Sequence, residues 1–162
     1  MSMVSLEVVD GVRREVGPKT DRKLKSALGQ FMTPSSVARF MADMFPKSDL
    51  TSCRLLDAGA GVGALSCAFL DRWKAGFFRF DHVDATAYEI DERLGAHLAE
   101  HLAGYPGITA HVIAGDYIEL TAKPDVVSPG YTHAILNPPY KKISSASAHR
   151  LALRTVGIET VN

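Results

Sequence analysis

Apolar residues along the chain follow two spacings, the three-to-four-residue spacing of helices and the short runs typical of buried strands. The first 28 residues are polar and weakly patterned, and they are predicted to be an extension with one short helix near residues 21–28. Thr33 is predicted to be a helix N-cap, and Pro34 suits the first helical position. The apolar face of this helix is predicted to contain Val37, Phe40, Met41, Met44 and Phe45, and Pro46 ends it.

Four short apolar segments bounded by glycine or proline are predicted to be strands. They cover residues 54–58, 83–90, 108–114 and 131–136. Helices are predicted after Gly63 (burying Leu65, Phe69, Leu70 and Trp73), over residues 91–102 with Gly104 closing the helix, and over residues 148–155. Strands that alternate with helices predict an α/β protein with a parallel sheet, and crossover connections predict the strand order 3-2-1-4.

Ligands of parallel α/β sheets bind at the carboxyl ends of the strands. The first predicted strand ends in Asp57-Ala58-Gly59-Ala60-Gly61-Val62-Gly63. Its G-x-G-x-G spacing differs from the dinucleotide-binding G-x-G-x-x-G. An aspartate two residues before the first glycine repels a pyrophosphate and favours a cationic ligand. A purely structural turn is the open alternative.

The next two strand ends carry carboxylates. Glu89 lies 26 residues after Gly63, where a carboxylate accepts both hydroxyls of a ribose. An N-cap role for the Glu89–Asp91 pair is the alternative, and Asp91 is expected to serve in that way. After the third strand, Asp116 suits an adenine amino group and the ring of Tyr117 can stack on the base, with a solvated loop aspartate as the alternative.

The fourth predicted strand ends in Asn137-Pro138-Pro139-Tyr140. Two consecutive prolines fix the backbone and lack amide donors. The Asn137 side chain and the Pro138 carbonyl can therefore both accept from one exocyclic amino group. The ring of Tyr140 can stack on a base that has left its helix.

Four blocks across about residues 29–140 resemble the S-adenosylmethionine-dependent amino-methyltransferases. They are most similar to the adenine-N6 DNA methylases of restriction-modification systems, in the gamma-type motif order. The blocks are Gly29-Gln30-Phe31-Met32-Thr33-Pro34, residues 57–63, Tyr88-Glu89-Ile90-Asp91 followed by Asp116-Tyr117, and residues 137–140. The resemblance implies a Rossmann-like methyltransferase core over residues 29–162, after an extension over residues 1–28.

The resemblance also implies roles for individual residues. Thr33 holds the methionine carboxylate, Asp57 lies near the methionine ammonium, and Glu89 takes the ribose hydroxyls. Asp116 takes the adenine amino group, with Tyr117 or Ile90 against the ring. The implied cofactor residues are Thr33, Asp57, Gly59, Gly61, Gly63, Glu89, Ile90, Asp116 and Tyr117, and the implied catalytic residues are Asn137, Pro138, Pro139 and Tyr140. The implied partner is DNA with a flipped adenine.

Composition and charge limit the classes of protein to which this chain can belong. The chain has 162 residues, 46% hydrophobic residues and a formal net charge of zero, which fits one globular domain. Residues 81–125 carry nine acidic and two basic side chains, whereas residues 12–25 and 139–162 are basic. No apolar run approaches the ~20 residues of a membrane span. His97 and His101 are expected at the surface without a metal, and Cys53 and Cys67 as small buried thiols of a cytoplasmic protein.

The segment after Tyr140 is short for this fold family. The chain ends 22 residues later, so the expectation is a fragment, truncated after the fourth strand, of a longer methylase. The rest of that methylase, or another chain, is expected to cover the edge of strand four, and the 162 residues alone are expected to self-associate and not to methylate DNA. RNA, N4-cytosine or a release-factor glutamine as substrate, and a non-catalytic cofactor-binding module, stay open as alternatives.

Overall fold

Four parallel strands form the centre of the molecule, in a computed structural model that describes residues 5–19, 32–127, 129–138 and 147–159. The strands are β1 (Ser52–Ala58), β2 (His82–Glu89), β3 (Ile108–Ala114) and β4 (His133–Ala134). The helices are α1 (Leu6–Lys19), α2 (Ser35–Asp43), α3 (Ala64–Lys74), α4 (Glu92–Ala103), α5 (Tyr117–Thr121) and α6 (Ala148–Thr155). The predicted 148–155 helix is confirmed.

The strands pair in the order β3-β2-β1-β4, which confirms the predicted α/β Rossmann-like sheet. The strand β4 is shorter than predicted, because only two of its residues form ladder pairs, His133 with Leu55 and Ala134 with Leu56. On either side of this ladder, the N–H groups of Thr132 and Ile135 each donate one backbone hydrogen bond of 2.9 Å to a carbonyl of β1. The carboxyl ends of all four strands therefore lie along one edge of the sheet.

One face of the sheet holds the main hydrophobic core. Alternate residues of β1 and β2 project into it, and they pack against the buried face of α3. The strand residues are Cys53, Leu55, Val83, Ala85 and Ala87, and the predicted helix residues Leu65, Phe69, Leu70 and Trp73 are all buried with them. This packing fixes the start of α3 directly behind the glycine turn.

The segment before residue 20 differs from the prediction. It forms the helix α1, whose Leu6 and Val9 are fully buried in the same core, with Val12 and Val16 packed beside them. The spacing of these four residues is helical, so residues 6–19 are not an unpatterned extension. The helix predicted near residues 21–28, and the boundary at residue 28, lie outside the described residues.

The helix α2 begins one residue later than predicted. Its N-cap is Pro34, which makes no side-chain cap, so the prediction of Thr33 as the N-cap is wrong. An aspartate of α1 caps the helix instead, because the N–H of Ser35 donates to Asp10 Oδ1 at 3.2 Å. Asp10 is buried, and it also pairs with Arg13 and Arg14 at 2.8 Å.

The apolar face predicted for α2 is only partly buried. Ala38 and Ala42 are buried, with Met41 and Phe45 partly buried against the core. The remaining predicted residues are exposed, namely Val37 (44%), Phe40 (67%) and Met44 (70%). The helix therefore packs against the core mainly through its small alanine side chains. No helix among the described residues is long and apolar enough to cross a membrane.

Candidate cofactor and amine-binding site

The turn after β1 needs glycine for two different reasons. Gly59, Gly61 and Gly63 have φ values of +85°, +59° and +90°, a region that side chains rarely adopt. A Cβ at Gly63 would lie 2.7 Å from Leu98 Cδ1, so that glycine is required by packing between α3 and α4. A Cβ at Gly59 would meet no atom within 4 Å, which leaves open space beside the backbone for a ligand.

The carboxylate of Glu89 ties the glycine turn to the end of β2. Glu89 Oε2 accepts from the Gly61 N–H at 2.7 Å, and Oε1 accepts from the Asp91 N–H at 2.8 Å. Burial raises the pKa of Glu89, and these two backbone donors oppose that rise. The predicted capping role of Asp91 is confirmed, because its side chain accepts from the Arg93 N–H at 2.9 Å. Glu89 thus holds the turn, and its predicted contact with ribose stays a prediction.

Asp57 lies directly beneath the glycine turn and is fully buried. Its Oδ2 accepts from the Ser66 hydroxyl at 2.7 Å, while Oδ1 has no hydrogen-bond partner among the described residues. Burial raises the pKa of Asp57 to about 7, the Ser66 hydrogen bonds oppose the rise, and the nearby Glu89 charge adds to it. A buried acceptor of this kind is stabilised by a cationic or hydrogen-bond-donating ligand.

The third strand end places an aspartate and an aromatic ring together. Asp116 is the N-cap of α5 and accepts from the Glu119 N–H at 3.0 Å, so it is not a free loop carboxylate. Its Oδ1 also lies 3.4 Å from His149 Nε2 of α6, a contact that sequence spacing did not suggest. The Tyr117 ring meets the Tyr88 ring edge to face, with centroids 5.0 Å apart.

An apolar side chain lies at the surface where β2 ends. Ile90 is 49% exposed and follows Glu89 directly. An exposed isoleucine beside a buried carboxylate offers a flat apolar surface to a ring that hydrogen-bonds nearby. This position fits the role that the sequence resemblance implies for Ile90, which stays a prediction.

The fourth strand end reaches back to the segment before α2. Asn137 Nδ2 donates to Thr33 Oγ1 at 3.2 Å, across 104 residues of sequence. Thr33 is buried, and a Cβ at Gly61 would lie 3.6 Å from the side chain of its neighbour Met32. Met32 therefore lies beside the glycine turn, and Thr33 lies against Asn137. Pro138 is exposed, whereas Pro139, Tyr140 and residues 29–31 lie outside the described residues.

His101 and the two cysteines are buried in the packing of the fold. The expectation that His101 lies at the surface is wrong, because it is buried with Nδ1 2.8 Å from the Val62 carbonyl oxygen. Cys53 and Cys67 are buried free thiols, as expected, and burial raises their pKa values to about 11 and about 12. Among the described residues, no three potential metal ligands come together.

A cavity of about 780 Å³ lies on the other face of the sheet. Thr86 and Tyr88 of β2 line it, together with Tyr117 of α5 and with Leu153 and Val156 of α6. None of the carboxylates at the strand ends lines this cavity, and neither does the amide of the fourth strand end. Of the residues implied for the cofactor, Tyr117 also lines this cavity, so the cavity adjoins the predicted site.

Comparison with known proteins gives two relatives that align with almost the whole chain. The Type II methyltransferase M.BsuBI of Bacillus subtilis is 45% identical over 168 residues, which cover 97% of this chain and 33% of the relative. The Type II methyltransferase M.PstI of Providencia stuartii is 36% identical over 172 residues, covering 98% and 33%. The chain thus spans about a third of the length of the curated relatives it matches. No protein-family model matches it.

A solved structure supports the fold independently. A Listeria monocytogenes protein described as a class I S-adenosylmethionine-dependent methyltransferase superposes with a TM-score of 0.59. The alignment covers 83% of this chain and 40% of that protein, at 18% sequence identity. At this identity the similarity concerns the fold alone, and it agrees with the parallel sheet described above.

Proposed function

We propose that this chain is the cofactor-binding part of a DNA methyltransferase. It aligns with about a third of the length of each of two Type II methyltransferases. The cofactor is S-adenosylmethionine, and the acceptor is the exocyclic N6 amine of adenine. One observation carries the proposal. The described residues of all four motif blocks meet at one edge of the sheet, with Thr33 against Asn137 and Glu89 against Gly61.

The side chains at the strand ends suit the chemical groups of this cofactor. The buried Oδ1 of Asp57 suits an ammonium, and Glu89 suits two vicinal hydroxyls because each carboxylate oxygen has more than one lone pair. Asp116 and the exposed Ile90 suit the amino group and the face of an adenine. The open backbone at Gly59 gives room for the methionine part of the molecule.

The chemistry requires no covalent intermediate with the protein. The bound cofactor supplies an electrophilic methyl group. Asn137 Oδ1 and the Pro138 carbonyl accept hydrogen bonds from the two N–H groups of the target amine, which draws its lone pair out of conjugation with the ring. The nitrogen releases one of these protons to solvent once it carries the methyl group. This help is largest in the transition state, and fixed positioning of the nitrogen supplies the rest of the rate enhancement.

The proposed partner is duplex DNA from which the target base is flipped, with Tyr140 stacked on it. The basic segments 12–25 and 139–162 can meet phosphates, while the acidic segment 81–125 belongs to the cofactor side. Further chain, or another protein, is proposed to cover the short edge strand β4. A cytoplasmic location completes the proposal, since Cys53 and Cys67 are free thiols.

The direct test uses the intact protein that carries this chain, with radiolabelled S-adenosylmethionine and separate DNA, RNA and release-factor substrates. Label is expected in DNA, and nucleoside analysis is expected to find N6-methyladenine. Label that appears only as N4-methylcytosine, or only in RNA or protein, would assign the site to another acceptor. Cofactor binding without transfer to any of these substrates would favour a non-catalytic module.

Cofactor affinity is expected to depend on the ionisation of Asp57. Its pKa of about 7 means that the carboxyl is largely protonated at pH 6 and must lose a proton to bind an ammonium. From pH 7 to pH 6, affinity for S-adenosylhomocysteine should fall about fivefold by proton linkage. Calorimetry at the two pH values measures this change. Asp57→Asn should remove the dependence, and an unchanged pH profile in that variant would contradict the role of Asp57.

The same raised pKa has a consequence for folding. The pKa of Asp57 rises from 3.8 in the unfolded chain to about 7 in the folded protein, so the folded protein binds this proton more tightly. Between these two values the folded state binds more protons, so the contribution of Asp57 to stability is present below about pH 4. It is lost as the pH rises through 7. Urea unfolding of wild type and Asp57→Asn across this range provides the control that needs no ligand.

A further inference from the structure

Four phenylalanine rings form an aromatic cage around the imidazole of His133. His133 is one of the two residues of β4 that pair with β1. The centroid of its ring lies 5.2–6.2 Å from the ring centroids of Phe45, Phe69, Phe78 and Phe80. Phe45 follows α2, Phe69 belongs to α3, and the other two come from the segment before β2. Side chains from three parts of the fold therefore meet β4 at this one ring.

One nitrogen of the His133 ring faces the junction between β4 and β1. Nδ1 lies 2.9 Å from Thr132 Oγ1 and 3.5 Å from Cys53 Sγ. Thr132 Oγ1 also accepts from the Arg54 N–H at 2.9 Å. An unprotonated Nδ1 can accept from the Thr132 hydroxyl, whereas a protonated Nδ1 is a second donor towards the same oxygen. Protonation of His133 therefore changes the hydrogen bonds where the two strands first meet.

The surroundings of His133 do not compensate a positive charge on its ring. Among the residues that the structure describes, no carboxylate pairs with it, and burial alone lowers the pKa of His133. The titratable group that faces it from β1 is the Cys53 thiol, which is neutral because burial raises its pKa to about 11. The charge of Asp84 on β2 acts on that thiol and not on His133. The cations beside these elements are Arg54 of β1 and Arg72 of α3, which lies over one of the caging rings.

We propose that His133 is a positioning residue whose neutral imidazole holds β4 on the sheet, and whose protonation releases β4 together with the strand end that it carries. Few other backbone contacts hold β4, since its ladder has two residue pairs and one flanking hydrogen bond on either side. His133 lies four residues before Asn137 and touches no reacting atom. The release of β4 stands by itself, whereas its consequence for methyl transfer rests on the proposed function.

The direction of the pH effect follows from the burial of the ring. When β4 opens, His133 meets water and its pKa returns towards 6.5. The open state then binds the proton more tightly than the closed state, so opening increases as the pH falls through 6.5. The stabilising contribution of His133 is present above this pH and is lost below it. This direction is opposite to the one expected for Asp57, so the two groups can be distinguished.

Hydrogen exchange of the whole chain measures the opening of β4. The reporters are the amides of Thr132 and Ile135, which donate to the carbonyls of Arg54 and Leu56. Their protection, corrected for the intrinsic pH dependence of exchange, should fall several-fold between pH 7.5 and 5.5. The limit is about tenfold, because an open histidine of ordinary pKa takes up one proton over this range. Amides of β2, which is paired on both sides, report global unfolding, and their protection should not fall, because protonation of Asp57 adds stability.

Two variants and one titration identify the group that responds. His133→Asn removes the titrating ring but keeps a side-chain acceptor beside Thr132, and it should make the protection of the β4 amides independent of pH. His111→Gln changes an exposed histidine of β3 and is the matched control, so it should keep the wild-type response. NMR of the carbon-bound ring protons titrates His133 directly in the wild type, with an expected midpoint below 6.5. This titration decides the matter even if His133→Asn does not fold.

Methyl transfer by the intact protein tests the consequence for the reaction. Single-turnover rates at saturating S-adenosylmethionine should fall below about pH 6.5 in the wild type, and they should fall less in His133→Asn. Saturation removes the expected effect of Asp57 on cofactor affinity. Rates that stay constant while β4 opens would separate His133 from the reaction and would contradict its positioning role.

The remaining outcomes separate this inference from the proposed function. A midpoint of His133 at or above 6.5 would show that the aromatic cage stabilises the imidazolium, and it would overturn the inference. A pH response of β4 that persists in His133→Asn would overturn it as well, since another group would then release the strand. A pH-dependent β4 without transfer to any substrate would support the role of His133 in holding β4 and would refute the proposed function.

Discussion

Asn137→Ala is expected to lower kcat for methyl transfer several hundredfold while cofactor affinity stays within about threefold. The side chain is proposed to act on the target amine, and in the structure its Nδ2 donates to Thr33 Oγ1. Loss of one preorganised acceptor costs roughly 3–4 kcal/mol of barrier, by analogy with the deletion of oxyanion-hole donors. Single-turnover transfer to duplex DNA and calorimetry with S-adenosylhomocysteine measure the two quantities.

Asn137→Asp is the matched variant for this experiment. It keeps an acceptor oxygen for the amine but replaces the Nδ2 donor to Thr33 Oγ1 by a second acceptor. Its kcat should therefore lie between those of the wild type and the alanine variant. If cofactor affinity collapsed together with activity in Asn137→Ala, the residue would belong to the cofactor pocket or to the fold.

Glu89→Ala should weaken cofactor binding between tenfold and several hundredfold. The variant would lose the two charge-assisted hydrogen bonds proposed to the ribose, each worth about 1.5–3 kcal/mol before compensation. The structure adds a second effect, because the buried carboxylate also accepts from Gly61 and Asp91. Each backbone N–H left without an acceptor costs about 1–3 kcal/mol, so the variant should also unfold at a lower temperature.

Two further variants separate the loss of contacts from the loss of charge. Glu92→Ala removes an exposed carboxylate from the first turn of α4, and it should change neither affinity nor stability. Glu89→Gln keeps an acceptor oxygen for one of the two backbone donors and should be intermediate in both measurements. Equal affinity of wild type and Glu89→Ala in calorimetry would remove Glu89 from the cofactor site.

The strand order was predictable because glycine and proline residues mark the ends of the strands in this sequence. The turn at Gly59–Gly63 and the proline pair after Asn137 fix where β1 and β4 end, and a doubly wound sheet with the glycine turn on its first strand has this order. The helix α1 was missed for an equally physical reason. Six of its fourteen residues are charged, and Gly11, Gly17 and Pro18 are poor helix formers, so they obscure the four apolar residues at helical spacing.

The positions of the site residues were predictable, but their partners were not. The rule that ligands bind at strand ends selects Asp57, Glu89 and Asn137 without any knowledge of packing. Their hydrogen bonds depend on side chains from other elements, such as Ser66 beneath Asp57 and the Gly61 amide on Glu89. Asn137 and Thr33 are 104 residues apart in the sequence, so no local sequence pattern predicts their contact.

The two-residue ladder of β4 has a consequence for the order in which the site is built. Elements with few backbone hydrogen bonds open more often than the whole protein, so β4 can detach from β1 while β1, β2 and β3 stay paired. During translation at roughly 5–20 residues per second, Asn137 emerges about 5–20 seconds after Thr33. The glycine turn and the carboxylates of the strand ends emerge within that interval, so each of them precedes the amide that completes the proposed site.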